Sequence, residues 1–394
     1  MNILILGASN NQIDLIIAAK NKKNNIYLVD PNDNPPGKKF SFFYIQEDIR
    51  NVVSIINKIK SFSIDACISD QSDVGLLSQS IICRELNIYS ITYEKALICT
   101  QKDSQINFLS KKLPKLIPAS HFFDHPSDLF LFLDNKISGL DEWVVKPKNS
   151  QGSKGVFILN KEKYKEQIVN SYKESFGRGL ILQKHIIGKE FSVEAYIYKG
   201  NVGILAITEK EHYPDNDCLD KRNVYFGSIN FDIEKNLSTA HKQIISAIEI
   251  ESSMSHAEYI VDKDNNVYLI EFAARGGGGS ISGKLLPFLT GFSSVDFLIA
   301  VSLNIEPKLQ FGDYRMKFAI MHFLEPNQKF PENFNPKNYY FVLHCEYKES
   351  NITKNTPDDS RDRPGYFIVT GKNLEDVNNN EKIIKELLIL KNAI

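Results

Sequence analysis

Residues 256–275 constrain the fold more than any other stretch of the chain. His256-Ala257-Glu258-Tyr259-Ile260-Val261 alternates as a strand, Asp262-Lys263-Asp264-Asn265-Asn266 is a turn cluster, and 267–275 is a second strand, so the segment reads as a β-hairpin. A loop centred between Asp264 and Asn265 sets Glu258 directly opposite Glu271, with Cβ atoms ~4.5–5.5 Å apart. Opposed like charges destabilise a hairpin unless something neutralises them, and Mg²⁺ prefers a pair of carboxylates together with substrate phosphates. On this reading the two carboxylates repel in the empty protein, and Gln at either position leaves it as stable or more so. The period of two puts Arg275 on the face of Glu271, where a guanidinium can hold developing phosphoryl charge. The plain alternative, two exposed glutamates and a surface arginine, is disfavoured by the register. Gly276, Gly277, Gly278 and Gly279 follow at once and offer close backbone approach and free N–H donors to a carboxylate or acyl phosphate.

The surrounding sequence changes texture twice. Through the first hundred residues short apolar strands (3–6, 26–29, 42–45, 66–68) alternate with helical stripes (13–17, 49–59), which implies a parallel, doubly wound sheet. A helix at 101–113 and a strand at 143–147 lead into strands at 180–183, 191–198 and 202–208, an antiparallel α+β pattern. From about residue 311 come strands at 316–323, 340–345 and 366–369 and a closing helix at 382–390, with 348–362 a polar, mobile loop.

Three further segments carry chemistry. Lys146 ends a strand and opens a loop with Ser150, Gly152, Ser153 and Gly155, whose backbone N–H groups can cradle phosphate oxygens, although this is not the P-loop pattern. Glu190, Ser192 and Glu194 share one face of a strand, a pattern that also fits a merely solvated edge. The turn at Gly7 has one of the three glycines that dinucleotide binding asks for, which argues against a nicotinamide cofactor. The 47 basic and 48 acidic residues leave a net charge of −1 and no electrostatic footprint for nucleic acid or an anionic membrane. No apolar run approaches the ~18 residues of a membrane span, and the N-terminus lacks signal-peptide character. Five scattered cysteines without CxxC spacing argue against disulfides and structural zinc and fit a reducing cytoplasm.

These residues resemble the ATP-grasp superfamily of ATP-dependent carboxylate–amine ligases over nearly the whole chain. The resemblance implies an α/β and α+β architecture: a Rossmann-like pre-ATP-grasp domain at 1–99, a two-lobed ATP-grasp domain at 100–310 (lobes at about 113–186 and 187–310), and a small C-terminal α+β domain at 311–394. It implies ATP and Mg²⁺ (or Mn²⁺) as cofactors. Lys102 and Lys146 would contact phosphate, and the loop with Ser150, Gly152, Ser153 and Gly155 would cover it. Gln183, Lys184, His185 and Ile186 would form the adenine hinge, where the family usually starts with an acid, and Glu190 would bind ribose. Glu258 and Glu271 match the metal carboxylates, and Arg275 the arginine on the transferred phosphoryl group. Ala273 stands where the family often has a third, Asn ligand, which speaks against a full two-metal site. Distinctive segments of biotin carboxylase, of the purine-pathway members and of D-alanine–D-alanine ligase are absent, and the Ala-Ala-Arg-Gly-Gly-Gly-Gly run looks most like the amino-acid or peptide ligase branch.

The expected reaction joins a small carboxylate to an amine through an acyl phosphate, with release of ADP and phosphate. Lys210 joins Lys146 and Arg275 as a catalytic candidate. The loop 210–225, with Lys210, His212 and Arg222 as anion contacts, is expected to form the substrate pocket with His256 and the glycine run. Partners are small molecules, neither nucleic acid nor membrane, with a homodimer left open. A non-amine acceptor and a non-catalytic nucleotide-binding regulator are the alternatives. The intact set Lys146, Glu258, Glu271 and Arg275 argues against the regulator.

Overall fold

The structure, a computed structural model, describes residues 1–134, 137–225, 229–312, 317–349, 352 and 355–391. It begins with β1 (Asn2–Leu6), α1 (Ile13–Asn21), β2 (Asn25–Asp30), β3 (Phe43–Gln46), α2 (Val52–Ile59), β4 (Ala66–Ile68) and α3 (Asp73–Leu86). The four strands pair in parallel in the order β3-β2-β1-β4. Alternation in β1 explains why both faces are covered. Ile3 and Ile5 point into a core shared with α1 and the C-terminal half of the chain, whereas Leu4 and Leu6 pack with Ile55, Ile59 and Ile82 on the other side.

Helices α4 (Tyr93–Thr100) and α5 (Lys102–Lys112) lead to a small four-stranded sheet in the order β5-β8-β6-β7. Its strands are β5 (Ser120–Phe123), β6 (Trp143–Pro147), β7 (Phe157–Ile158) and β8 (Leu180–Lys184), with α6 (Pro126–Leu133) and α7 (Tyr164–Glu174) packed on it. The third sheet has eight strands and carries most of the remaining chain. Long antiparallel strands β9 (Gly188–Tyr198), β10 (Asn201–Tyr213) and β11 (Asn216–Tyr225) are followed by α8 (Phe231–Ile248), then the hairpin β12 (Ser253–Asp262) and β13 (Val267–Ala273). After α9 (Leu286–Thr290) and α10 (Ser294–Ser302), β14 (Phe318–Phe323) pairs with β11. A short β15 (Gln328–Lys329) precedes β16 (Val342–Tyr347) and β17 (Gly365–Gly371), giving the order β13-β12-β9-β10-β11-β14-β17-β16. Among the described residues no single helix is long and apolar enough to cross a membrane, and all five cysteines are free.

Several expected elements shift. The strand expected at 316–323 begins at Phe318, and Met316 lies outside the described residues. The closing helix, α11 (Leu374–Leu387), starts eight residues earlier than 382, where Asn373 caps the Asp376 N–H. Its expected end instead forms β18 (Ile389–Leu390), paired with β15. The polar loop 348–362 is not wholly a free excursion: Asp359, Ser360 and Arg361 are built into contacts described below, while 350–351 and 353–354 lie outside the described residues. The hairpin turn is also offset. Tyr259, Ile260 and Val261 pair with Leu269, Tyr268 and Val267, one residue out of the expected register, and Asn265 takes a left-handed φ of 62°. A bulge between Glu258 and Tyr259 restores the register, so that Glu258 faces Glu271 as the alternation requires.

Candidate functional site

A cleft of about 300 Å³ opens between the small sheet and the near end of the large one. Its apolar walls include Val144, Ile158, Cys218 and Leu269, a lining that suits a planar base. At its back the strand β8 hands over to β9 through Gln183, Lys184, His185 and Ile186. The Lys184 N–H donates to the Ala119 carbonyl at 2.8 Å and the His185 N–H to the Glu142 carbonyl at 2.7 Å. Among the described residues the Ile186 N–H has no protein acceptor, and Ile186 lines the cleft. Gln183 takes no acid's role here: its Oε1 accepts from Lys146 Nζ at 2.7 Å and its Nε2 donates to Ser120.

Strand periodicity delivers the charged groups. Along β9, Glu190, Ser192 and Glu194 share a face; they pair across with Ile260, Glu258 and His256 of β12. Glu258 and Glu271 therefore stand side by side, but neither is unpartnered. Lys210 Nζ bonds both Glu258 and Glu190, and Lys102 Nζ lies 2.7 Å from Glu271 and 2.9 Å from the Ser150 carbonyl. The expected repulsion is thus relieved by lysines from β10 and from the first turn of α5. Burial works against charge on Lys102 and Lys210, but Glu271 and Glu190 with Glu258 overcome it and raise both pKa values. Burial also opposes charge on Glu258, and Lys210 and His256 hold its carboxyl well below the usual range. Lys146 has no carboxylate of its own: burial first, then the charge of Lys102, lowers it to about 8.

Arg275 bonds Asp73 at the start of α3, and Gln151 Nε2 reaches the other oxygen of the same carboxylate at 2.6 Å. The start of α3, the loop after β6 and the chain after β13 thereby meet at one carboxylate. Lys102, Lys146, Lys210, Glu190, Glu258, Glu271, His256 and Arg275 all line one cleft, with Ser150, Gly152 and Ser153 along its rim.

Comparison with known proteins adds the deciding observation. The ATP-grasp domain profile matches residues 141–284, the span that holds the rim, the β8–β9 junction and the β12–β13 hairpin. Residues 141–284 are thus an ATP-grasp domain. Phosphoribosylamine–glycine ligase of Methanococcus maripaludis is 23% identical over 355 residues, 83% of this chain and 78% of its own length. L-amino acid ligase from Bacillus licheniformis superposes with a TM-score of 0.78 at 18% identity, covering 99% of this chain and 98% of the other. Phosphoribosylglycinamide synthetase from Anaerococcus prevotii gives 0.74 at 21% identity, covering 99% and 98%. The likeness therefore extends to a ligase whose branch the motif comparison sets aside, because a fold can be shared where short distinctive segments are not.

Other residues of the ATP-grasp cleft escape sequence reasoning. Asp217, Cys218, Leu219 and Asp220 of β11 and Ser360 and Arg363 of the loop before β17 line it. Arg363 bonds Asp220 at 2.8 Å, and, against the cost of burial, Arg363 and Lys210 hold the Asp220 carboxyl well below its ordinary range. Ser360 donates its N–H to the Gly152 carbonyl at 3.2 Å, and a Cβ on Gly152, which has φ +66°, would lie 2.2 Å from Ser360 Oγ. The cluster Asp359-Ser360-Arg361-Asp362-Arg363 was the available signal, but nothing local says which cleft it reaches.

On the substrate side the loop expectation is corrected. Residues 210–225 are not a loop but two long paired strands, and Phe226 lies outside the described residues. Lys210 lines the cleft and bonds Glu190 at 2.7 Å, and His212, outside the lining, bonds the other oxygen of Glu190 at 2.9 Å, whereas Arg222 turns away and binds Glu381 of α11 through Nε at 2.9 and 3.0 Å. The glycine run does not line the ATP-grasp cleft. Gly276 is no free donor, since its N–H binds Asp70 Oδ1 at 3.1 Å. Among the described residues the N–H groups of Gly277, Gly278 and Gly279 have no protein acceptor.

Proposed function

We propose that this protein is an ATP-dependent ligase that activates a small carboxylate as an acyl phosphate and transfers the acyl group to an amine. The observation that carries the reading is the convergence of Lys102, Lys146, Glu258, Glu271 and Arg275 on one cleft whose hinge and rim come from the matched domain. ATP lies with its base against Ile186 and the apolar walls and its ribose at Glu190. Lys102 and Lys146 hold its phosphates, with the backbone of Ser150, Gly152, Ser153 and Gly155 folded over them. Two opposed carboxylates with hard oxygens fit Mg²⁺ (or Mn²⁺), so Glu258 and Glu271 would hold it, and bound there it would neutralise phosphate charge. Ala273 faces His256, whose pKa is raised to about 10 because Glu194 and Glu258 outweigh its burial. That standing positive charge beside Glu258 disfavours a second cation.

In the first step a carboxylate oxygen attacks the γ-phosphorus, the bond to the bridging oxygen breaks, and ADP leaves. Arg275 supports the charge spread over the transferring group. In the second, the amine nitrogen attacks the acyl carbon, the carbon–oxygen bond to phosphate breaks, and the amine's surplus proton passes to solvent. Positioning does most of this work, and the covering loop keeps water from the acyl phosphate.

The test is ATP-dependent phosphate release with a panel of amino acids and small carboxylates, with hydroxylamine as a trap that turns an acyl phosphate into a hydroxamate. Hydroxamate and phosphate should appear together and in equal amounts with at least one acid. Phosphate release that no acid stimulates, with no hydroxamate, would sink the proposal.

A further inference from the structure

Of the described residues, two arginines line the cleft, Arg275 and Arg363, and the reaction above uses only the first. Arg363 stands two residues before β17, and its side chain is nine-tenths buried. Its guanidinium is fixed from two sides. The central carbon lies 4.0 Å from the centre of the Phe323 ring, and Nη2 donates both to the Asp220 carbonyl and, at 2.8 Å, to Asp220 Oδ1. Asp220 is fixed in turn, because Asn223 Nδ2 donates to its other oxygen at 2.9 Å. A guanidinium has five N–H donors, and Nη2 accounts for two of them. Among the described residues Nη1 bonds no acceptor, and Nε is buried without one. Buried donors are ordinarily satisfied, so a locked cation with open donors in a cleft calls for an account.

We propose that Arg363 binds the γ-phosphate of the nucleotide, as a second guanidinium on the transferred group, supplied by a segment outside the matched domain. Open N–H donors on a locked, planar cation suit an oxyanion, and phosphate above all. Two observations put that oxyanion at the end of the triphosphate. Ser360, three residues earlier in the same loop, lines the cleft and donates its N–H to the carbonyl of Gly152, in the loop that covers the phosphates on the reading above. Asp220, which holds Arg363, feels the charges of both Lys210 and Glu258, and Lys210 is bonded to Glu258. Arg363 therefore stands toward the carboxylates assigned to the metal, and away from the apolar walls assigned to the base. Arg275 is held in the same manner by Asp73, so each guanidinium has one carboxylate that fixes it before a phosphate arrives. A contact made to the γ-phosphate alone holds ATP more firmly than ADP. The inference rests on the nucleotide site of the ligase reading and adds a residue to it.

The experiment is calorimetric titration of the full chain, with Mg²⁺ present, by AMP-PNP (an ATP analogue whose γ-phosphate is not transferred), ADP and AMP, together with the melting temperature of each nucleotide-free protein. Arg363→Gln should weaken AMP-PNP about tenfold or more, the loss of one hydrogen-bonded contact to a charged group, and leave ADP and AMP within about twofold. Arg363→Lys keeps a cation for Asp220 but not the planar fork. It should melt within a few degrees of the wild type and still bind AMP-PNP about tenfold more weakly, so it decides the matter if the glutamine variant does not fold. AMP-PNP binding unchanged in the lysine variant would show an arginine that serves only as the partner of Asp220, and would overturn the inference. Equal loss of all three nucleotides would show one that only closes the rim, and would overturn it too. Both of those outcomes leave the ligase reading standing. A wild type that binds none of the three would overturn both.

Discussion

Lys146 is held by an amide oxygen where its neighbours are held by carboxylates, and its titration sets an expected pH profile. It carries its charge below about pH 8 and is neutral above, whereas Lys102 and Lys210 are raised and stay charged. On the proposed reading that charge grips phosphate, so kcat/KM for ATP should be flat below about pH 8 and fall by about tenfold per unit above it. Bound phosphate favours the charged lysine, so the limb in kcat should lie at higher pH. Lys146→Arg should remove the limb; a limb that persists in that variant would assign it elsewhere. The carboxylate pair behaves differently from two bare like charges. Glu271→Gln should leave Lys102 buried against a carbonyl alone, costing about 2 kcal/mol of apo stability and lowering the urea midpoint. Turnover should fall by orders of magnitude. An unchanged or higher midpoint would restore the picture of mutual repulsion. Glu258 and Glu271 could be found because a period of two is local arithmetic. Their lysines could not, since the Lys102 partner lies 169 residues away in the chain.

At the scale of the element, the covering loop and the loop before β17 form one unit. Gly152 sits under Ser360, and Arg361 reaches Glu174 at the end of α7 at 2.8 Å. Gly152→Ala places a methyl on Ser360 Oγ at a left-handed φ and should raise the ATP KM about tenfold. Adding Ser360→Gly should recover the part due to the clash and leave the part due to backbone strain. No recovery in the double variant would show that the two loops do not close together. Elements with strict periods and plain ends were legible: β4 and β6 fall where 66–68 and 143–147 were expected. The hairpin turn was misplaced by one residue and rescued by a bulge, because bulges answer to packing on both faces rather than to local spacing. Helix α11 is legible only from about 382 because its first two turns, 374–381, are mostly polar and bury only Val377, Asn380 and Glu381.

Across the whole molecule, the large sheet runs without interruption from the β12–β13 hairpin to β16, joined at β11–β14. Residues 317–391 therefore complete a sheet that the middle of the chain begins, and Tyr213 and Val224 are buried partly by them. A fragment ending at residue 312 should expose the edge of β11 and aggregate on expression, while the full chain stays soluble. A soluble, ATP-binding fragment would contradict this. The parallel sheet and the antiparallel region were each legible from their own alternation, but not their continuity, which is a fact about distant edges. The contacts of Arg363 with Asp220 and of Ser360 with Gly152 also bear on how the molecule is born. The ribosome delivers residues in order, and the rim of the cleft waits for residues 360 and 363 to emerge. Until residue 363 clears the exit tunnel, the growing chain has the lysines and carboxylates of the cleft but not the contacts that close its rim.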